Sequence, residues 1–173
     1  MIHGFRIIKP QAIRDNPFHL IDSDWMLVTA GNMKKWNTMT ASWGGLGVLW
    51  NKPVAFSFIR PTRYTYEFME KTDRYTLSFF PERYRKSLEF CGSNSGRDVD
   101  KARATGLTPV SDRPGCIFFA QARLVLECRK LYFQDLDPKH FLNRKIIRMY
   151  PQKDFHRLYV SEITRVLSAE RKT

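Results

Sequence analysis

The stretch "IRPTRYTYEFMEK" (59–71) sets Arg60 and Arg63 on either side of a turn that closes a β-rich run and opens a helical one. The free N–H groups and positive dipole end of a helix start attract anions. Two guanidiniums there can grip phosphate oxygens in pairs, each charge-assisted bond contributing roughly 1.5–3 kcal/mol. Thr62 and Thr65 add hydroxyl donors. The competing reading makes both arginines ordinary surface partners of Glu67 or Glu70. One strand's length upstream, "NTMTASWGG" (37–45) offers an amide, hydroxyls and backbone groups to a flat polar heterocycle, with Met39 or Trp43 against its face. The same run equally suits a small polar strand facing a loop. "SNSGRDVDK" (93–101) gathers Ser95, Arg97 and Lys101 around a glycine turn before a helix, which reads as a second anion nest or as a capped helix.

Other catalytic signatures are missing. "GGLG" (44–47) lacks the third glycine and the following helix of a dinucleotide fingerprint. "GSNSG" (92–96) carries Asn94 where a nucleophile elbow needs serine. His3, His19, His140 and His156 show no metal-binding spacing. Cys91, Cys116 and Cys128 form no C-x-x-C pair and read as reduced thiols.

The elements that must position these groups fit one domain spanning 1–173, because 173 residues support one core without disulfide or metal. Charges throughout the first 18 residues, with Pro10 among them, do not fit a signal peptide, and no apolar run reaches the ~18 residues that span a bilayer. The expectation is a cytoplasmic protein without a membrane partner. A net charge of +12 favours anionic partners, and 13 Phe, 7 Tyr and 4 Trp could stack on single-stranded nucleic acid. No helix-turn-helix or RNP-like pattern supports that alternative, so no nucleic-acid partner is expected.

Strands are expected at 24–31, 37–43, 54–60, 74–80 and 156–167, with one long or two short ones in 117–133. "GGLGVLWNKP" reads as a glycine-rich connection. Short helices follow Thr65, Pro81 and Asp98, with Thr65 and Asp98 as caps and Gly106 as a stop. "PKHFLN" reads as a helical turn. Strands this numerous without regular βα alternation predict a mainly β chain: an antiparallel Greek-key split β-barrel with short flanking helices.

Four blocks in order, "NTMTASWGG", "RPTRYT", "SGRDVDK" followed by "GLTP", and "FHRLYVSEI", resemble the flavin reductase-like family, its flavoredoxin branch most closely. That resemblance covers roughly 24–167 and implies a homodimer holding one FMN per subunit near the dimer interface. By position, Asn37, Thr38, Met39, Thr40 and Ala41 would meet the isoalloxazine ring and ribityl chain, with Trp36 beside them. Arg60, Arg63, Tyr64 and Thr65 would hold the phosphate, joined by Ser95 and Lys101. His156 matches a histidine near the flavin or nicotinamide, a candidate catalytic residue whose alternative is a hydrogen-bonded histidine at a strand start. The family usually has glycine where this chain has Ser161, which puts the backbone geometry near His156 in question. The expected activity is hydride transfer from NADH or NADPH to bound FMN and electron delivery to a flavin, metal or protein acceptor. The alternative is an electron carrier without nicotinamide turnover. No metal site is expected.

Overall fold

Residues 4–170 are described by a computed structural model. Strand alternation sorts the side chains between two apolar clusters, one on each face of a single curved sheet. In β2 (Met26–Asn32), Met26 and Val28 point into the barrel while Leu27 points outward. β9 (Leu124–Asp135) and β10 (Arg157–Ala169) repeat the pattern, Leu124, Leu126 and Val166 facing inward and Val125 and Leu167 outward. Outside, the second cluster is covered by α2 (Arg85–Ser93), by β1 (Phe5–Ile8) and by the small β7–β8 pair (Pro109–Val110, Phe118–Phe119).

The remaining strands are β3 (Lys35–Ala41), β4 (Gly44–Leu49), β5 (Lys52–Ile59) and β6 (Arg74–Phe79). All pairings are antiparallel, in the order β3-β2-β6-β9-β10-β5-β4, with β1 added to β10. The connection from β5 to β6, which β10 and β9 separate in the sheet, runs through α1 (Tyr64–Lys71), packed on β2 and β3. The architecture is an antiparallel split barrel with short flanking helices.

The glycine-rich segment expected to be a connection is strand β4, paired with β5 from Gly44↔Ser57 to Leu49↔Lys52. Its turn is Trp50-Asn51, both with positive φ (52° and 58°), the backbone twist a tight two-residue hairpin demands. Two expected caps also move. Arg63 occupies the N-cap of α1, and Thr65 sits inside its first turn. Asp100, not Asp98, caps α3 (Lys101–Thr105) by accepting from the Arg103 N–H at 3.1 Å, while Gly106 ends it with φ 70°.

Inside the barrel, Tyr75 of β6 is fully buried, and its hydroxyl lies 3.0 Å from both Ser57 of β5 and Ser161 of β10. Burial pushes the phenol's pKa far up, so it stays a neutral donor. Ser161 therefore spends its side chain on Tyr75, and the feature that put the geometry near His156 in question is absorbed in the core.

Candidate functional site

A cleft runs along β3 between the β5–α1 turn, the end of α2 and the β9–β10 connection. It has a polar end of about 180 Å³, a middle section of about 290 Å³ and an apolar chamber of about 600 Å³. Met39 and Arg63 line both of the first two sections, whereas Ser42, Trp43, Phe58 and His156 line both of the last two. The three sections are thus continuous.

The polar end is built by long-range pairing. Asn37 of β3 donates from Nδ2 to Thr65 Oγ1 at 2.8 Å, locking the strand to the first turn of α1. Gly96 packs so closely on Asn37 that a Cβ there would fall 1.8 Å from Asn37 Oδ1, so the Ser95–Arg97 loop is pressed against the strand. Arg63 donates to the Gly92 carbonyl at 2.7 Å, and Ser95 Oγ accepts from the Arg97 N–H at 3.1 Å. Tyr64 lies edge-on to Phe68 and beneath the Arg97 guanidinium at 4.6 Å.

Lys101 is the deepest cation of this end, only 5% exposed. Its Nζ donates to the carbonyls of Thr38 (2.8 Å) and Cys91 (2.7 Å), and among the described residues no carboxylate pairs with it. An ammonium has three donors, so one remains for a ligand. Burial lowers its pKa to about 8; Cys91 opposes that shift and Arg63 adds to it. A buried ammonium without a counter-ion is costly, and an anion in the adjoining space would offset that cost.

Arg60 does not join this group. Its Nη1 donates to both oxygens of Asp154 at 3.1 Å, its Nη2 to the Met149 carbonyl at 2.8 Å, and its guanidinium lies 4.8 Å over the Tyr150 ring. It lines the middle of the cleft with its charge already neutralised by Asp154. Neither this pairing nor the Arg97–Glu67 ion pair is the Glu67 or Glu70 pairing considered for the two arginines from sequence.

The strand period also separates the expected β3 residues. Asn37, Met39 and Ala41 face the cleft, whereas Trp36 packs edge-on against Phe119 on the opposite face at 5.8 Å. Thr38 turns its hydroxyl to Thr29 (2.8 Å) and presents only its carbonyl, to Lys101. Thr40 donates to the Leu88 carbonyl of α2 at 2.5 Å while lining the middle section.

His156 stands between the middle section and the chamber, 8% exposed. Nδ1 is 2.8 Å from the Tyr150 hydroxyl, and the ring packs near Trp43 (5.2 Å) and Phe58 (6.5 Å). Burial first, then the charge of Arg60, lowers its pKa to about 4 against the opposing pull of Asp154, so the imidazole is neutral at pH 7. Phe58, Tyr150 and Asp154 were not singled out by sequence reasoning. Phe58 carried a signal, as an aromatic alternating with small inward residues on β5; Asp154 carried none, being 94 residues from Arg60.

Among the described residues no helix is long and apolar enough to cross a membrane, and no cluster of His, Cys, Asp and Glu could hold a metal ion.

The fold recurs in solved structures. A flavoredoxin from Methanosarcina acetivorans superposes with a TM-score of 0.68 at 21% identity, covering 87% of this chain and 70% of that one. The flavoredoxin of Desulfovibrio vulgaris (Miyazaki F) gives 0.66 at 20% identity over 94% and 77%. An FMN-binding domain of a flavin reductases-like enzyme from Shewanella baltica OS155 gives 0.67 at 14% identity over 98% and 79%. No curated protein matches the chain by sequence. The family model for the flavin reductase like domain matches residues 18–172, and with that match the chain belongs to the flavin reductase-like family.

Proposed function

We propose that the cleft holds one FMN per subunit. The observation that carries this reading is Lys101: a buried ammonium with a spare donor and no acid partner among the described residues, set beside Arg63, Thr65 and Ser95 at the polar end of a cleft that becomes apolar along its length. Those four residues would hold the phosphate. Asn37 stands at the same end and would meet the ribityl chain, leaving Met39, Thr40 and Ala41 beside the ring. Bound FMN would supply the hydride and electron chemistry, which requires no acid–base pair from the protein. The protein's part is to bind, to orient and to keep water from the ring face bordered by Trp43 and Phe58.

In this reading the protein is an oxidoreductase in which NADH or NADPH reduces the cofactor and a small-molecule or protein acceptor reoxidises it. The visible spectrum of purified protein, before and after denaturation, tests the cofactor; protein that emerges colourless and cannot be loaded with FMN overturns it. Stopped-flow mixing with NADH and NADPH separates the enzyme from a carrier reduced by a partner protein, which would show neither rate.

We also propose a homodimer. Val48 of β4, Trp50 at the β4–β5 turn and Tyr132 of β9 are exposed, and Trp50 lies edge-on to Tyr132 at 6.5 Å. Apolar side chains grouped in this way mark a protein-contact surface. Light scattering during gel filtration reads the mass directly, and a monomer at micromolar concentration rejects this assignment. The excess positive charge serves no nucleic acid in this reading, and a salt-dependent titration with short oligonucleotides checks that.

A further inference from the structure

The connection from β9 to β10 carries charge of one sign. Residues 138–153 include five Lys and Arg and no Asp or Glu. All five are exposed, and among the described residues none of Lys139, Arg144, Lys145, Arg148 and Lys153 joins an ion pair. The flanking carboxylates are engaged: Asp135 pairs with Arg157, Asp137 accepts from the Lys139 N–H, and Asp154 holds Arg60. Asp22 in the chamber lining sets a single negative charge against these five.

A solvated basic loop accounts for the charges alone, but not for the apolar side chains among them. Leu142 is 100% exposed, and Ile146 and Met149 are 41% and 48% exposed. Arg144–Met149 is a 3-10 helix, whose period of three stacks Ile146 with Met149 in one row and Lys145 with Arg148 in the next. The first row lines the apolar chamber of the cleft, so the second stands beside that chamber. The backbone beneath is braced. Arg60 donates to the Met149 carbonyl at 2.8 Å, Asn143 accepts from the Lys145 N–H at 3.1 Å, and the rings of Phe141, Tyr150 and Phe155 pack on one another. A surface held in this way loses little freedom on binding.

We propose that residues 138–153 form the docking face for a small acidic redox protein, whose carboxylates meet these five cations around an apolar contact at Leu142. Opposite charge steers such a partner to the face and fixes its orientation. A lipid surface fits less well, because two 3-10 turns of three and six residues break up the continuous apolar face that an interfacial helix needs. Single-stranded nucleic acid needs open aromatic planes, whereas Phe141 and Tyr150 are packed against Phe155. A second copy of the chain carries the same +12 excess and is repelled. Only the partner's redox role rests on the FMN reading; docking itself does not require flavin.

The experiment is calorimetric titration of flavin-free and FMN-loaded protein with two acidic probes, a plant-type ferredoxin and a flavodoxin, and with basic cytochrome c as control. Both acidic probes are expected to bind either form at low ionic strength and to weaken as salt rises, while cytochrome c does not bind. R144E/K145E should weaken the acidic probes at least tenfold. K34E/K35E, the same change of charge at the β2–β3 turn, should weaken them less than about twofold. L142S alters a fully exposed side chain that the fold does not need, and should cost about tenfold. Failure of both acidic probes to bind, equal losses in the two charge reversals, or unchanged affinity in L142S would each overturn the proposal. So would phosphatidylglycerol vesicles or a single-stranded oligonucleotide binding in place of the acidic probes, with that binding lost in R144E/K145E. Light scattering that shows L142S converting a dimer to a monomer would assign the face to a second copy and likewise overturn it. Failure of FMN to load, with both probes still docking, would reject the cofactor reading and leave the docking face standing.

Discussion

The two ends of the cleft use opposite physical means of recognition. At the polar end a buried cation, Lys101, is held by two carbonyls without a balancing acid among the described residues, so the folded chain bears a cost that an anion would offset. At the apolar end the cation is balanced: Arg60 is consumed by Asp154 and the Met149 carbonyl, and the imidazole of His156 beside it is neutral. Two arginines three residues apart thus serve different ends, one lining the polar end of the cleft and one bracing a wall. Spacing alone does not make a clamp.

Replacing Lys101 breaks this contrast most severely. K101M should weaken FMN about 30- to 150-fold, the loss of a charge-assisted contact worth roughly 2–3 kcal/mol. The same change should leave the flavin-free protein as stable or more so, because a desolvated charge gives way to a thioether of similar reach. Titration and thermal melting read the two effects, and a parallel loss of both would mean that Lys101 is structural. Next in size, G96A forces a Cβ toward Asn37 Oδ1 and must displace either the loop or the amide, costing about 1–3 kcal/mol. FMN binding should fall with it, as a titration of the purified variant with FMN reads.

The pH dependence is gentler and its sign follows from burial. With a folded pKa near 8 and an ordinary value of 10.5, Lys101 is charged below about pH 8 and loses its proton above it. FMN affinity should therefore hold below pH 8 and fall by at most about tenfold per pH unit above it, a decline absent in K101M. Over the same window the flavin-free protein gains stability with rising pH, since its unfolded form retains the proton longer. His156 works in the acid range: its folded pKa of about 4 lies below the ordinary 6.5. Stability tied to its neutral ring is complete above pH 6.5 and is lost as pH falls toward 4, and urea titrations of H156L should lack that component. The smallest effect on FMN is expected from R60A, less than about threefold, because its donors are already engaged; R60A should instead lower stability by about 1–3 kcal/mol through the orphaned Asp154. A loss of FMN binding in R60A as large as in R63A would erase the distinction between the two arginines.

The architecture was legible where side chains alternate. β2, β5, β6 and β10 carry their own patterns, and the bounds expected for them are off by only a few residues. β4 was not legible, because its glycines offer no pattern and its strand form comes from the partner it pairs with. In the site, the placement of Trp36 and Thr38 away from the cleft was available in principle: a period of two from Asn37 excludes both. What the sequence could not disclose is who pairs with whom at long range, such as Arg60 with Asp154, Asn37 with Thr65, and Lys101 with two carbonyls.

One interior feature has a bearing on how such chains diversify. The phenol at position 75 is shared by hydroxyls from two other strands, so neither Tyr75 nor Ser161 can drift alone without stranding its neighbour. A lineage exchanging Ser161 for glycine would fare best by accepting phenylalanine at 75 together with it, and these two sites should be inherited as a couple.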